Sequence, residues 1–144
     1  MENIKLLKKI EFLNGLSTME LTKISRICKE SVYEMGDEIV SEGDECNSFF
    51  IIKEGTVNVI KGDKTVSMLS DGSPIGEVSF IDRGPRSATV KAAKRTVLIE
   101  IPTREFDKAL KEDKDMASIV YRSIAVTLCK RLRFTNDMLL ILSD

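Results

Sequence analysis

The sequence predicts an α+β fold in one domain: helices first, an antiparallel β-sandwich or barrel in the middle, and a long helix last. Residues 32–102 break into short runs rich in β-branched and aromatic residues, namely VYEMGDEIV, SFFIIKEGTVNVIK, KTVSMLS, SATVKAA and RTVLIEI. Gly36-Asp37, Gly43-Asp44, Gly55, Gly62-Asp63 and Asp71-Gly72 punctuate them. Strands of about five residues with a turn signal every ~8 to 12 residues mark an antiparallel sandwich or barrel. On both sides of this core, in residues 1–31 and 103–142, the apolar residues recur at helical spacing instead.

At the N-terminus, Ile4, Leu6, Leu7 and Ile10 share a helical face until Asn14-Gly15 breaks the pattern. Ser17-Thr18-Met19-Glu20 reads as a capping box, in which the Ser17 hydroxyl and the Glu20 carboxylate satisfy each other's orphan amides. The helix it opens carries Leu21, Ile24, Ile27 and Cys28 on one face. Within the β-core, Gly62-Asp63 between NVIK and KTVSML predicts a two-residue hairpin turn. After Pro102 a short helix is predicted, capped by Thr103, with Phe106 and Leu110 inward. Asp115 is the predicted cap of a long helix reaching about residue 142. Along that helix Tyr121, Ala125, Leu128, Leu132, Thr135, Leu139 and Leu142 alternate in steps of four and three, a heptad seam broken only by Thr135. No repeat, low-complexity stretch or linker divides the 144 residues, so residues 1–144 are expected to form a single domain.

Composition narrows the chemistry. Apolar residues make up 42% and charged residues 31%, ordinary for a soluble globular chain. The net charge of -1 provides no basic footprint for nucleic acid or an anionic membrane. The N-terminal segment MENIKLLKKIEFLNGL lacks a secretory signal, and no apolar run approaches a membrane span, so a cytoplasmic address is expected. Cys28, Cys46 and Cys129 are too far apart for a metal or disulfide framework and are expected to be buried reduced thiols. There is no histidine. That removes the commonest general acid–base group and metal ligand, so neither an enzyme nor a metal site is expected.

One stretch, GEVSFIDRGPRSATV at residues 76–90, carries a pattern that folding alone does not require. Gly76 follows a strand and permits close backbone approach, and EVSF can form one helical turn whose free amides suit an anion. Arg86 offers a planar fork of donors to phosphate or carboxylate oxygens, Ser87 adds a hydroxyl, and Ala88 adds an amide. Glu77 would repel a simple anion but would accept from the hydroxyls of an anionic sugar such as a ribose phosphate. The alternative is a loop ion pair between Glu77 and Arg86, of little energetic worth.

GEVSF followed by PRSATV resembles the phosphate-binding cassette of cyclic nucleotide-binding domains, Gly-Glu-aliphatic-small-apolar and then Pro-Arg-small-Ala-Thr. Gly36-Asp37, Gly43-Asp44-Glu45, Phe49-Phe50-Ile51-Ile52, Gly55-Thr56-Val57 and the opening LLKKIEFLNGLSTMEL are similar to the family's turn glycines, strands and first helices. The resemblance implies a jelly roll (double-stranded β-helix) with its cassette at 76–89. It implies contact of Gly76 and Glu77 with the ribose 2′-hydroxyl, counts Val78 and Ser79 among the ligand-binding residues, and pairs Arg86 with the oxygens of the cyclic phosphate, assisted by Ser87 and the amides around Ala88. It places Val66 and Leu69 against the base. Pro85 would fix the approach to Arg86. Ser73-Pro74-Ile75 departs from the family, where an Asp and an aromatic residue are frequent.

The terminal helix resembles the dimer helix of bacterial catabolite activator-type regulators. Within CKRLRFTND it sets Thr135 and Asn136 where a Thr and a following polar residue meet adenine; alternatively Thr135 tunes helix pairing or faces solvent. The expected ligand is cyclic AMP, with cyclic GMP second. The expected assembly is a parallel homodimer through the terminal helix. The chain ends at Asp144 without room for a helix-turn-helix, so output is expected through a separate partner rather than nucleic acid. The competing expectation is an interaction scaffold of the same fold that binds no nucleotide.

Overall fold

A computed structural model describes residues 2–143; the side chains of Glu2, Glu77, Val78 and Ser79 lie outside what it describes. The N-terminal part comprises α1 (Glu2–Leu7), a 3-10 turn (Glu11–Leu13) and α2 (Thr18–Ile27). The predicted capping box is present: the Glu20 amide donates to Ser17 Oγ at 3.2 Å, and the Ser17 amide donates to Glu20 Oε1 at 2.9 Å.

Eight strands follow. They are β1 (Lys29–Tyr33), β2 (Glu38–Val40), β3 (Ser48–Glu54), β4 (Thr56–Lys61), β5 (Lys64–Ser70), β6 (Pro74–Ile75), β7 (Thr89–Ala92) and β8 (Thr96–Pro102), with the short helix α3 (Glu77–Asp82) between β6 and β7. Two antiparallel sheets result, in the orders β1-β8-β3-β6 and β2-β7-β4-β5. Hydrogen bonding runs within each sheet, so the expected barrel takes the form of two facing sheets, as in a jelly roll, rather than one closed cylinder. The hairpin between β4 and β5 turns through two residues, with Lys61 opposite Lys64 and Gly62 at φ +63.

The burial of β3 explains its unbroken SFFII run. Phe49 and Ile51 face the helices, while Phe50 and Ile52 face the second sheet, so the strand is covered on both sides. On the helical side Phe49 meets Phe12, Phe80 and Phe106, with ring centroids 5.5, 5.2 and 5.3 Å away. These are edge or tilted contacts, the arrangement aromatic quadrupoles favour. Between the sheets Ile52, Val57, Ile75, Val90 and Leu98 form a second, smaller core.

Two helices end the chain, α4 (Thr103–Glu112) and α5 (Lys114–Leu142). The caps differ from those expected. Thr103 is the first residue of α4 rather than its cap, which is Pro102; the Thr103 amide donates to the Asn47 carbonyl at 3.0 Å. Asp113, not Asp115, caps α5: its Oδ1 accepts from the Met116 amide at 3.0 Å. Asp113 has the extended backbone of a cap residue, whereas Asp115 already lies within the first turn of the helix. α5 buries Met116, Val120, Ile124 and Thr127 against the body, whereas Leu128, Leu132, Leu139 and Leu142 of the heptad seam are exposed. The cysteines correct another expectation, because Cys129 is exposed and only Cys28 and Cys46 are partly buried. Burial pushes the Cys28 thiol up to about 12. No helix among the described residues is long and apolar enough to cross a membrane.

Two outcomes follow from this packing. Phe49→Ala removes the ring that three others touch, and urea denaturation is expected to show a loss of about 3–5 kcal/mol. The hydrogen bond from the Met116 amide, together with Lys23 at 3.2 Å, holds the Asp113 carboxyl below the usual carboxylate range. The stability this cap contributes is therefore complete above the unfolded value near ~3.9 and lost as pH falls through the lower folded value. Asp113→Asn keeps an acceptor but cannot titrate, so its urea midpoint is expected to fall less steeply than the parent's on acidification.

Candidate functional site

The site forms where Gly76, just before α3, and the loop after that helix meet the second sheet. β6 pairs with β3, Ile51 opposite Pro74 and Phe50 opposite Ile75, and this delivers the chain to Gly76. Gly76 has φ +81, a conformation glycine adopts without strain, and α3 starts at the next residue. A Cβ at position 76 would collide with Arg86 Nη1, so glycine is needed for space as well as for backbone.

After α3 the chain turns through Arg83, the one non-glycine residue with positive φ among those described. The Arg83 guanidinium reaches Asp107 of α4 at 2.6 Å and lies 5.5 Å from the Phe80 ring centroid. Arg86 is then clamped by its own backbone: its amide donates to the Asp44 carbonyl at 2.8 Å, and its carbonyl accepts from the Gly43 amide at 2.9 Å. The Gly43-Asp44 turn thus holds the cassette as well as joining two strands.

The Arg86 side chain is only 6% exposed. Nη2 donates to the Ser48 carbonyl at 2.5 Å, and Cζ lies 5.9 Å from the Phe50 ring centroid. Nη1 has no hydrogen-bond partner among the described residues. A buried guanidinium donor left without an acceptor is costly, and an anion placed there relieves the cost.

Arg86 borders a cavity of about 180 Å³. Gly76, Ser87 and Ala88 share its polar end with Arg86, while Val40, Val59, Leu69 and Val90 supply an apolar wall, and Pro74 and Ile75 close one side. The wall is a ladder across the second sheet: Val40 pairs with Val90, and Val90 with Val59. The arrangement suits a small amphipathic anion. Among the described residues no group of His, Cys, Asp and Glu is arranged to hold a metal ion.

A family model for the cyclic nucleotide-binding domain matches residues 30–113. The chain belongs to the cyclic nucleotide-binding domain family. This is a nucleotide-binding regulatory module rather than a catalytic one. The domain is 33% identical over 105 residues to a cAMP-dependent protein kinase regulatory subunit of Debaryomyces hansenii, covering 72% of this chain and 23% of that protein. It is 33% identical over 124 residues to the potassium/sodium hyperpolarization-activated cyclic nucleotide-gated channel 2 of Mus musculus, covering 85% of this chain and 14% of the channel. This chain therefore spans less than a quarter of the length of either relative. Among solved structures, a cyclic nucleotide-binding domain from Methylobacillus flagellatus superposes with a TM-score of 0.81 at 25% identity, over 95% of this chain and 80% of that one. The Thermus thermophilus catabolite activator protein superposes at 0.77 and 25% identity, over 92% and 63%.

Within this cyclic nucleotide-binding domain the residues expected at the site fare differently. Gly76, Arg86, Ser87, Ala88 and Leu69 line one cavity. Glu77, Val78 and Ser79 begin α3, but their side chains fall outside the described part. Val66 is not at the cavity and is 60% exposed. The register steps from Val59 opposite Ser67 to Ile60 opposite Thr65, so Val66 is the extra residue of a bulge. Thr135 and Asn136 are exposed on α5 and do not line the cavity of this chain. α5 runs unbroken, and eight residues at about 1.5 Å each carry Thr135 roughly 12 Å past Thr127, the last buried residue described on it. Val40, Val59 and Val90 were not singled out from sequence. Their alternation within strands was visible, but the cross-strand register that lines them up was not.

Gly76→Ala is expected to displace the Arg86 guanidinium and lower stability by about 1–3 kcal/mol, as overpacking does. The companion Gly72→Ala, at φ +87 but with open space around it, separates the backbone cost from the collision in thermal melts.

Proposed function

We propose that this chain is a cyclic nucleotide sensor that binds cyclic AMP, with cyclic GMP as the second choice, and signals to a separate protein through movement of α5. The observation that carries the reading is Arg86: buried, clamped by the Gly43-Asp44 turn, and presenting Nη1 without a partner beside Gly76. The cyclic phosphate would take that donor together with Ser87 and the Ala88 amide. Gly76 and the start of α3, with Glu77, Val78 and Ser79, would meet the ribose. The base would rest against Leu69 and the valine ladder.

A route from the cassette to α5 is supported by packing. Phe80 of α3 touches Phe49 and Phe106, and Phe80 and Ile81 border Ile124 and Leu128 of α5. A ligand that draws α3 toward the second sheet would shift this shared packing, and with it the preferred position of α5. It would do so only as far as it binds one arrangement better, typically by about 1–3 kcal/mol. The exposed seam of Leu128, Leu132, Leu139 and Leu142 supports a homodimer through α5, in which Thr135 and Asn136 of one copy or the other would come over the base. The relatives carry such domains within a kinase regulatory subunit and a channel; the output proposed for this domain is regulation of a partner protein in the cytoplasm.

Calorimetric titration with cyclic AMP and cyclic GMP tests the reading, and saturable heat with either is expected. Arg86→Ala is expected to weaken binding by about 2–5 kcal/mol, the usual cost of removing one side of a buried charged contact. No heat from the parent with either nucleotide would make the chain an interaction scaffold instead, and equal affinity in Arg86→Ala would refute the phosphate assignment.

A further inference from the structure

The two loops that clamp Arg86 also border a second cavity, of about 430 Å³, which shares no lining residue with the first. Gly43, Glu45 and Cys46 come from the loop before β3, Arg83 and Pro85 from the loop after α3, and Thr103 from the start of α4. Cys46 is partly buried, and its thiol donates to the Ser48 carbonyl at 3.6 Å. That same carbonyl accepts Arg86 Nη2 at 2.5 Å. The thiol at this cavity and the guanidinium at the other thus share one acceptor. The surroundings of Cys46 are short of acceptors. Thr103 is 8% exposed, and its Oγ1 has no hydrogen-bond partner among the described residues. Pro102 gives the first turn of α4 no side-chain cap, which leaves amides at the positive end of that helix. The Arg83 side chain is more than half exposed, and its pairing with Asp107 uses only part of the guanidinium fork. Glu45 adds one exposed carboxylate.

We propose that Cys46 is a modification site that takes a small anionic peptide thiol as a mixed disulfide, and that the adduct loosens the grip of Arg86 on its ligand. The second half rests on the nucleotide-binding reading above; the first stands apart from it. A peptide of this class carries carboxylates, which the Thr103 hydroxyl, the α4 amides and Arg83 can meet, and an ammonium group, which Glu45 can meet. The step is thiol–disulfide exchange. The Cys46 thiolate attacks one sulfur of the symmetric peptide disulfide, that S–S bond breaks, and the Cys46–peptide disulfide forms. The other half leaves as a thiolate and takes up the proton that Cys46 released. No further oxidant is needed. The adduct ends the bond from Cys46 to the Ser48 carbonyl and places its bulk between the loops joined by Gly43–Arg86 and Arg86–Asp44 backbone bonds. Each element that fixes the guanidinium is thereby disturbed from behind. Cys28 is no rival, since burial raises its thiol to about 12 and keeps it protonated. Cys129 is exposed on α5 and is removed in the test.

The test treats the full chain carrying Cys129→Ser with glutathione disulfide, and separately with cystamine, a disulfide of opposite charge, and follows intact mass and peptide maps. One glutathionyl group on Cys46 is expected, added about tenfold faster than the cystamine half. Thr103→Val keeps the volume and removes the hydroxyl, and is expected to slow the glutathione reaction while leaving the cystamine reaction unchanged. Calorimetric titration of the modified chain is expected to show cyclic AMP bound about tenfold more weakly, as the loss of two or three hydrogen bonds implies, with dithiothreitol restoring it. Absence of an adduct on Cys46, or equal rates with the two disulfides, would overturn the site. An adduct that leaves nucleotide affinity unchanged would overturn the coupling to Arg86. If the untreated chain binds neither cyclic AMP nor cyclic GMP, the sensor reading and the coupling fail together, and the mass measurement still judges the Cys46 site.

Discussion

A guanidinium held out of water organises this molecule. The Arg86 guanidinium is a buried cation, so every neighbouring element has to accommodate its charge. The Ser48 carbonyl accepts one arm, the Phe50 ring lies near the carbon, and the Gly43-Asp44 turn pins the backbone on both sides. Gly76 has no side chain because the second arm occupies that volume. What is left over is the donor capacity of Nη1 facing a cavity. The fold thus retains a cost that a ligand can remove, which is how a binding site of this kind gains affinity without further contacts.

The same constraint explains the division of labour between the sheets. The first sheet is covered on both faces, by helices and by the second sheet, and its central strand reads as continuous apolar sequence. The second sheet packs its inner face partly on the first and leaves the rest to line the cavity. Rigidity sits behind the arginine and open apolar surface in front of it. α3 links the two regions, since Phe80 is rooted in the helical core while Gly76, immediately before the helix, lines the cavity.

Much of this was legible in the sequence because it depends on local signals. The capping box at Ser17, the two-residue turn at Gly62-Asp63 and the glycine-flanked cassette each announce themselves within a few residues. The failures arose where the answer is set at longer range. Whether Asp113 or Asp115 caps α5 depends on how α4 ends, and Thr103 falls one step inside α4 because the extended backbone of Pro102 takes the cap position. Val66 was displaced from the site by a bulge, which slides one strand against another without a trace in composition. The valine ladder was missed for the same reason, being a property of register across three strands rather than of any one segment. Thr135 and Asn136 were read from a likeness to an assembled helix pair, and one chain alone keeps them in solvent.

Phe49 and the three phenylalanines that meet around it come from four different elements: β3, the 3-10 turn, α3 and α4. Three of them belong to the scaffold, and Phe80 belongs to the helix that starts beside the cavity. Because one cluster serves both, the site cannot be tuned by evolution or by design independently of folding. Substitutions that loosen α3 to alter responsiveness draw on the same aromatic contacts that keep the domain intact, so gains in one property will tend to surface as losses in the other.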